Sequence, residues 1–124
     1  MLALFGIFQA ANIVREDLHF TRLQTEISFW GRDDYHPTNA VIQRSNQAMH
    51  TLLTGAPKHP AFLYAQANSY AWQAYWAQGQ AETRQLSRRA VNLQRKAVAA
   101  RPAHLFDQAK LAEYIASAEA AGAL

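Results

Sequence analysis

The chain has 124 residues, of which 50% are hydrophobic and 17% charged, a composition that predicts one folded domain and not a disordered segment. It contains no cysteine, which excludes disulfides, thiol catalysis and any metal or iron–sulfur site that needs a cysteine ligand. The formal net charge of +3 is mildly basic, far below that of a nucleic-acid-binding tail.

The first stretch, residues 1–14, is apolar apart from Gln9 and Asn12 and carries no charge. It is shorter than the roughly 20 apolar residues of a transmembrane helix, and it lacks the basic start and the small-residue cleavage site of a signal peptide. We interpret it as a membrane-proximal segment and a candidate truncated anchor. An intact short anchor or interfacial segment stays open, and so does an apolar helix covered by the domain or by a second copy.

Two amphipathic helices are predicted next. The first carries apolar side chains at steps of three and four, namely Phe20, Leu23, Ile27 and Trp30. It is expected to be long, to begin near the N-terminus and to end at Gly31, before a polar loop over 31–37. Thr38 can cap the second helix, which is followed by a Gly- and Pro-rich break at 55–60.

Residues 60–102 are predicted to form a central helical hairpin. One face of its first helix holds Leu63, Ala67, Tyr70, Ala74 and Ala77, and one face of its second helix holds Leu86, Ala90, Leu93, Ala97 and Ala100. Small residues alternate with large ones on both faces, so the two helices can pack closely. Gly79 is expected to end the first helix in a left-handed conformation, and Gln94 is expected to be solvated.

A last helix is predicted over about 104–118. Its apolar row holds Leu105, Ala109, Ala112 and Ala116. Residues 119–124 are expected to fray, so the predicted helical domain spans residues 15–118.

A weak internal repeat links two parts of the chain. A shift of 45 residues places Val41 on Leu86, Arg44 on Arg89, Pro57 on Pro102 and His59 on His104. In both copies a helix ends at a proline and a new helix follows, as in stacked helical hairpins. The predicted fold is therefore all-α, with about five helices in antiparallel, tetratricopeptide-like hairpins behind a long N-terminal helix.

Aromatic side chains are frequent, and those of residues 70–76 span most of a helix circumference, so some should face a groove, a partner or a membrane. Rings stack on sugar faces and anchor protein interfaces. The candidate binding surface combines such rings with polar neighbours: Trp72, Tyr75, Trp30, Arg32, Tyr35 and Asn68. Core packing is the alternative for each ring.

The second helix of the hairpin carries several Lys and Arg residues but one carboxylate, that of Glu82. The candidate face for an anionic partner consists of Arg84, Arg88, Arg95 and Lys96. Phospholipid head groups, an acidic protein and an acidic polysaccharide are the candidate partners, and a solvated face is the alternative. Nucleic acid is not expected, because no aromatic residue lies between the cations and no nucleic-acid-binding fold is visible.

The sequence shows no catalytic signature. The histidines lack a zinc-binding spacing, and Asp33 and Asp34 are neighbours in a loop, where they cannot flank a glycosidic bond as paired acids do. No serine nucleophile elbow or phosphate-binding loop occurs. We therefore predict a protein that is not an enzyme, with no catalytic residues, no cofactor and no metal.

Three stretches carry a resemblance to a known family. They are Ser28-Phe29-Trp30-Gly31-Arg32, Ala67-Asn68-Ser69-Tyr70-Ala71-Trp72, and Arg101-Pro102-Ala103-His104 with Lys110-Leu111 and Glu113-Tyr114. Together with the apolar start, they resemble the small VpsP-type polysaccharide biosynthesis proteins of Gram-negative bacteria, from about Ile7 to Tyr114. The apolar start is shorter than the membrane segment of that family.

The resemblance implies an N-terminal membrane segment, a short helical domain and a role in making or exporting surface polysaccharide, with no assigned reaction. It also implies association with the inner membrane, a periplasmic domain, and other polysaccharide-biosynthesis proteins as partners. We expect an accessory or scaffold protein that acts by protein–protein interaction. A homo-oligomeric structural protein whose N-terminal helices associate is an alternative. Direct binding of an acidic polysaccharide by exposed rings is another.

Overall fold

The computed structural model describes residues 19–124, which form helices, turns and loops without a β-strand. Helix α1 is described over 19–28, and it is followed by α2 (Asn39–Gly55), α3 (Pro60–Trp76), α4 (Gln80–Ala100) and α5 (Leu105–Ala120). The predicted all-α architecture is confirmed. The segment predicted at 1–14 lies outside the described residues. No helix within the described range is both long and apolar enough to cross a bilayer.

Helices that follow one another in the chain also pack on one another. Helix α3 makes its largest contact with α4, and smaller contacts join α4 to α5 and α2 to α3. The loops between these helices are short, which makes neighbours antiparallel. The described chain is therefore a helical repeat-like array of hairpins.

The core between α3, α4 and α5 is built on small residues. Ala67, Ala90 and Val91 are at most 2% exposed, and Tyr114 of α5 packs in the same cluster. Alanine at the contact lets the helix axes approach closely, and the larger side chains fill the space on either side. The predicted inward faces of α3 and α4 are confirmed at Ala67 and Ala90, whereas Ala100, also predicted to face inward, is exposed.

The contact between α2 and α3 has two parts, an apolar cluster that includes Met49 and Phe62 and a group of polar side chains around Asn46. Asn46 Oδ1 accepts hydrogen bonds from Gln66 Nε2 at 3.3 Å, Ser69 Oγ at 3.1 Å and Gln73 Nε2 at 3.0 Å. Ser69 is fully buried and Gln66 is nearly so. A buried amide destabilises the fold unless its polar atoms are paired. Gln66 Nε2 is paired here, whereas Gln66 Oε1 has no hydrogen-bond partner among the described residues. The shared acceptor Asn46 thus joins α2 to α3 through three donors.

Equivalent histidines begin α3 and α5. His59 Nδ1 accepts a hydrogen bond from the Phe62 backbone N–H at 3.4 Å, and His104 Nδ1 accepts one from the Asp107 N–H at 3.3 Å. Each imidazole thereby satisfies one backbone donor that has no partner within its helix. The two caps lie at positions paired by the internal repeat.

The predicted inward face of α5 is wrong. Leu105 is 76% exposed, whereas Asp107 is fully buried. The cause is an ion pair, because the Arg101 guanidinium binds both carboxylate oxygens of Asp107. Gln94, predicted to be solvated, is also fully buried, and its Nε2 donates to the Asp107 backbone carbonyl at 2.9 Å. These polar contacts rotate α5 away from the orientation that its alanines alone suggest.

Two smaller predictions also need correction. Gly79 does not end α3 in a left-handed conformation, because its φ of −113° and ψ of 146° are extended and it is the N-cap of α4. The segment predicted to fray, 119–124, folds back onto the domain. Ala123 is 5% exposed, and its carbonyl accepts a hydrogen bond from Arg88 Nε at 2.8 Å.

Candidate binding groove

Helices α1, α3 and α5 together line most of a groove with a volume of about 1580 Å³. Helix α3 turns one face toward it, at positions spaced by three or four residues: Tyr64, Asn68, Ala71 and Tyr75. Sites for small molecules typically measure about 300–1,000 Å³. This groove is larger, and it has room for a segment of a polymer.

The C-terminal part of α3 forms the aromatic half of the groove. The Trp72 ring lies edge-to-face with Tyr75 at a centroid distance of 5.9 Å, and it stacks on Trp76 at 5.5 Å. Tyr75 is 78% exposed, whereas the two indoles are half-buried. Tyr75 therefore offers its ring to a partner, and the indoles hold that ring in place.

Gly31 allows α1 to reach this aromatic half. Its φ is +78°, and a Cβ at this position would lie 2.2 Å from Cη2 of Trp72. Glycine adopts a positive φ at little cost and leaves space for the indole. Helix α1 ends three residues before the predicted end at Gly31, and Gly31 brings the turn that follows α1 into contact with α3.

Asn68 lies in the middle of the groove. The Tyr114 hydroxyl donates a hydrogen bond to Asn68 Oδ1 at 3.1 Å. Burial raises the pKa of Tyr114 and, in the same way, the pKa of Tyr64. Both phenols are protonated at neutral pH, as an unperturbed tyrosine also is. With its oxygen occupied, Asn68 retains its amide N–H groups as donors for a chain in the groove.

Helix α5 contributes the other half. The Phe106 ring meets Tyr64 edge-to-face at 5.1 Å, and Lys110 Nζ lies 5.8 Å from the centre of the same ring. Lys110 also pairs with Glu113 at 3.2 Å. This half is therefore lined by rings and by a charge pair whose formal charges cancel.

All six predicted binding residues are among those that line the groove, but they differ in exposure. Trp72, Tyr75 and Asn68 line it together from α3. Trp30 requires correction as a surface residue, since it is 2% exposed and its Nε1 donates to Glu26 Oε1 at 3.3 Å. Its ring supports the groove from within the core.

The other two predicted residues, Arg32 and Tyr35, lie at the α1 end of the groove. Arg32 is exposed and lies over the Phe29 ring at 5.5 Å. The Tyr35 hydroxyl donates to Glu26 Oε1 at 3.0 Å, and this hydrogen bond raises the pKa of Tyr35. Both residues line the groove at this end.

The predicted cationic face lies elsewhere. None of its members, Arg84, Arg88, Arg95 and Lys96, lines the groove. Arg88 binds the Ala123 carbonyl, so it holds the C-terminal segment. The protein therefore has two separate candidate surfaces.

The residues of α5 were missed by the sequence analysis, together with Tyr64. Tyr64 could have been found, because it precedes Asn68 by four residues and so shares its helix face. Phe106 and Lys110 could not, because their direction depends on the buried Arg101–Asp107 pair.

Charged side chains also line the groove, among them Asp34, Lys110 and Glu113. Within residues 19–124, no group of three or more His, Asp or Glu side chains is arranged to hold a metal ion. Asp33 and Asp34 are both exposed. Besides these charged side chains, the groove presents rings, hydroxyls and an amide, which bind by stacking and hydrogen bonding.

No family model, no curated protein and no solved structure matches this chain. Its function is thus inferred from the groove, from the charges on its surface and from the sequence resemblance described above.

Proposed function

We propose that this protein is an accessory scaffold in exopolysaccharide biosynthesis or export, and that its groove holds a polypeptide segment of another biosynthesis protein. The observation that carries this proposal is the groove itself, in which exposed Tyr75 and the amide of Asn68 lie on one face of α3. Aromatic side chains supply contact area at protein interfaces, and a carboxamide can bind a peptide backbone.

The polysaccharide setting of this proposal comes from the resemblance to VpsP-type proteins. In that setting the helical domain lies on the periplasmic side of the inner membrane, and residues 1–14 provide the membrane contact. The protein acts by binding and not by catalysis, in keeping with a groove that offers stacking and hydrogen-bonding groups.

Genetic complementation in the bacterial host tests the proposal. Deleting the gene should lower the amount of cell-surface polysaccharide, and the wild-type gene should restore it. A gene carrying Asn68→Ala and Tyr75→Ala should fail to restore it, because the groove then lacks its central amide and its exposed ring. The measurement is surface polysaccharide per cell, with the level of the protein followed by immunoblot.

A matched control removes the same chemical groups outside the groove. Asn39→Ala and Phe29→Ala delete one carboxamide and one exposed ring from the α1–α2 side, and this variant should restore wild-type polysaccharide. Full restoration by the Asn68/Tyr75 variant would refute the role of the groove. If gene deletion leaves the amount of cell-surface polysaccharide unchanged, the proposed role in polysaccharide biosynthesis or export is refuted.

A second candidate function is direct binding of an acidic polysaccharide by the exposed rings. The 78% exposure of Tyr75 beside Trp72 favours it, since ring faces stack on sugars. Titrating an acidic glycan while following tryptophan fluorescence tests it, because Trp72 would report contact at Tyr75. If the tryptophan emission spectrum does not change up to the highest glycan concentration, this candidate function is refuted.

A further inference from the structure

Helix α4 concentrates the positive charge of this protein. It carries five Lys and Arg residues against one carboxylate, whereas the rest of the chain holds seven against eight. The net positive charge of the whole chain is thus located on one helix. A charge concentrated in this way produces a local field that an evenly spread charge would not.

These cations are not neutralised within the described chain. No carboxylate in residues 19–124 pairs with the α4 cations Arg84, Arg88, Arg89, Arg95 and Lys96. None of the five lies in the last turn of α4, where the helix dipole would favour a cation. Like charges one helical turn apart repel each other slightly, so the cluster does not serve the stability of the helix.

The cations form two rows along the exposed side of α4. Arg84, Arg88 and Arg95 share one edge, because they are spaced by four and seven residues, and Arg89 and Lys96 share the other edge. The ridge between the rows is exposed and uncharged, and it consists of Ala81, Gln85, Asn92 and Ala99. Both rows can therefore reach the same flat surface.

We propose that this side of α4 binds the surface of an anionic lipid bilayer. From Arg84 to Lys96 the rows extend about 18 Å along the helix axis. This exceeds the Debye length of about 8 Å at physiological ionic strength, so a single small anion cannot neutralise the cluster. The complementary partner is an extended negative surface.

The other anionic macromolecules fit this face less well. The exposed residues of α4 include no aromatic and no large aliphatic side chain. Protein interfaces are centred on such side chains, single-stranded nucleic acid stacks on rings, and sugars stack on rings as well. A bilayer of anionic head groups needs only several basic residues facing one plane.

Vesicle partitioning of the full chain tests the proposal. Phosphatidylcholine vesicles are compared with vesicles that also contain phosphatidylglycerol, and the measured quantity is the ratio of the two partition coefficients. This ratio cancels any contribution of residues 1–14 that does not depend on lipid charge. We expect a ratio well above one at about 0.1 M salt that falls toward one at about 0.5 M salt.

A charge-removal variant locates the contact. Replacing three cations should lower the ratio on the order of 100-fold, since each basic residue near an anionic surface contributes about fivefold. The variant is Arg84→Gln, Arg95→Gln and Lys96→Gln. It leaves Arg88 on the Ala123 carbonyl and Arg89 over the Tyr70 ring at 5.6 Å.

A second triple variant is matched to the first in charge and residue type, but its three substituted residues lie on α1, on α2 and in the loop that follows α2. It consists of Arg22→Gln, Arg44→Gln and Lys58→Gln, all at exposed positions. This variant should keep the ratio within a few fold of wild type. Equal losses in the two variants would overturn the proposal, because net charge alone would then explain binding.

Two further results would also overturn it. One is a ratio of one for the wild type at low salt, which needs no variant to interpret. The other is tighter binding to soluble polygalacturonate or polyglutamate than to the anionic vesicles, lost in the α4 triple variant. That result would assign the face to an acidic polymer.

Discussion

The groove and the outer side of α4 differ in what holds their side chains in place. Side chains that line the groove are fixed by specific contacts, such as Tyr114 on Asn68 and Trp72 on Gly31. The cations of α4 lie on its outer side, and within residues 19–124 a hydrogen bond or ring contact is found only for Arg88 and Arg89. The groove therefore depends on geometry, whereas the α4 side depends on charge. Substitutions should therefore change folding stability on the groove side and salt-dependent binding on the α4 side.

The largest loss of stability is expected when Arg101 is replaced. Arg101→Met leaves the fully buried Asp107 carboxylate without its guanidinium partner, which should lower the free energy of unfolding by about 3–5 kcal/mol. Arg44→Met is the control, because Arg44 is exposed and has no carboxylate partner among the described residues. Urea denaturation measures both. Equal, small losses would show that the pair does not anchor α5.

Gly31→Ala should have the next largest effect. The new Cβ would meet the Trp72 ring, and alanine would be forced to a positive φ, which together should cost about 2–3 kcal/mol. Gly55→Ala is the matched control at the end of α2. Nothing lies within 4 Å of a Cβ there, so it should be neutral or stabilise by about 0.5 kcal/mol. Thermal unfolding of the two variants compares them, and the same melting temperature for both would contradict the close contact at Gly31.

Tyr114→Phe probes the centre of the groove. Removing the hydroxyl leaves Asn68 Oδ1 without its donor, and it should cost about 1–2 kcal/mol. Tyr75→Phe removes a hydroxyl from a ring that is 78% exposed, so its free energy of unfolding should match that of wild type. If both variants unfold like wild type in urea, the Tyr114–Asn68 hydrogen bond contributes nothing.

The smallest effect on stability is expected on the α4 side. The triple variant Arg84→Gln, Arg95→Gln and Lys96→Gln should change the free energy of unfolding by about 0.5 kcal/mol or less, because exposed charges contribute little and here repel one another. Urea denaturation at low salt measures this. A loss above about 1 kcal/mol would mean that these cations support the fold, and the contrast between the two sides would disappear.

The helices and the groove face of α3 could be predicted because local spacing determines them. The spacing of apolar residues by three and four predicts that Leu23 and Ile27 of α1 face the core of the domain, and both are buried. The same periodicity places Asn68 and Tyr75 on one side of α3, where they line the groove. Helix period is a property of neighbouring residues, so a single sequence carries it.

The orientation of α5 could not be predicted, because it depends on contacts between residues distant from its apolar row. The buried Asp107 pairs with Arg101, which lies at the start of the loop that leads into α5. Gln94 of α4 donates a hydrogen bond to the Asp107 backbone carbonyl. A hydropathy pattern alone places Asp107 and Gln94 in solvent and Leu105 in the core. It therefore predicts the wrong face of α5 as the buried one. The polar cluster around Asn46 was missed for the same reason, since its members come from two helices.

If the groove holds a partner polypeptide, a photoreactive group at its exposed ring should crosslink to that partner in polysaccharide-producing cells. The photoreactive phenylalanine derivative is placed at Tyr75 and, as the control, at Asn92 on the outer ridge of α4. We predict a crosslink from Tyr75, but not from Asn92, to a protein that mass spectrometry identifies as part of polysaccharide biosynthesis. No crosslink from Tyr75, or the same products from both positions, would contradict the claim.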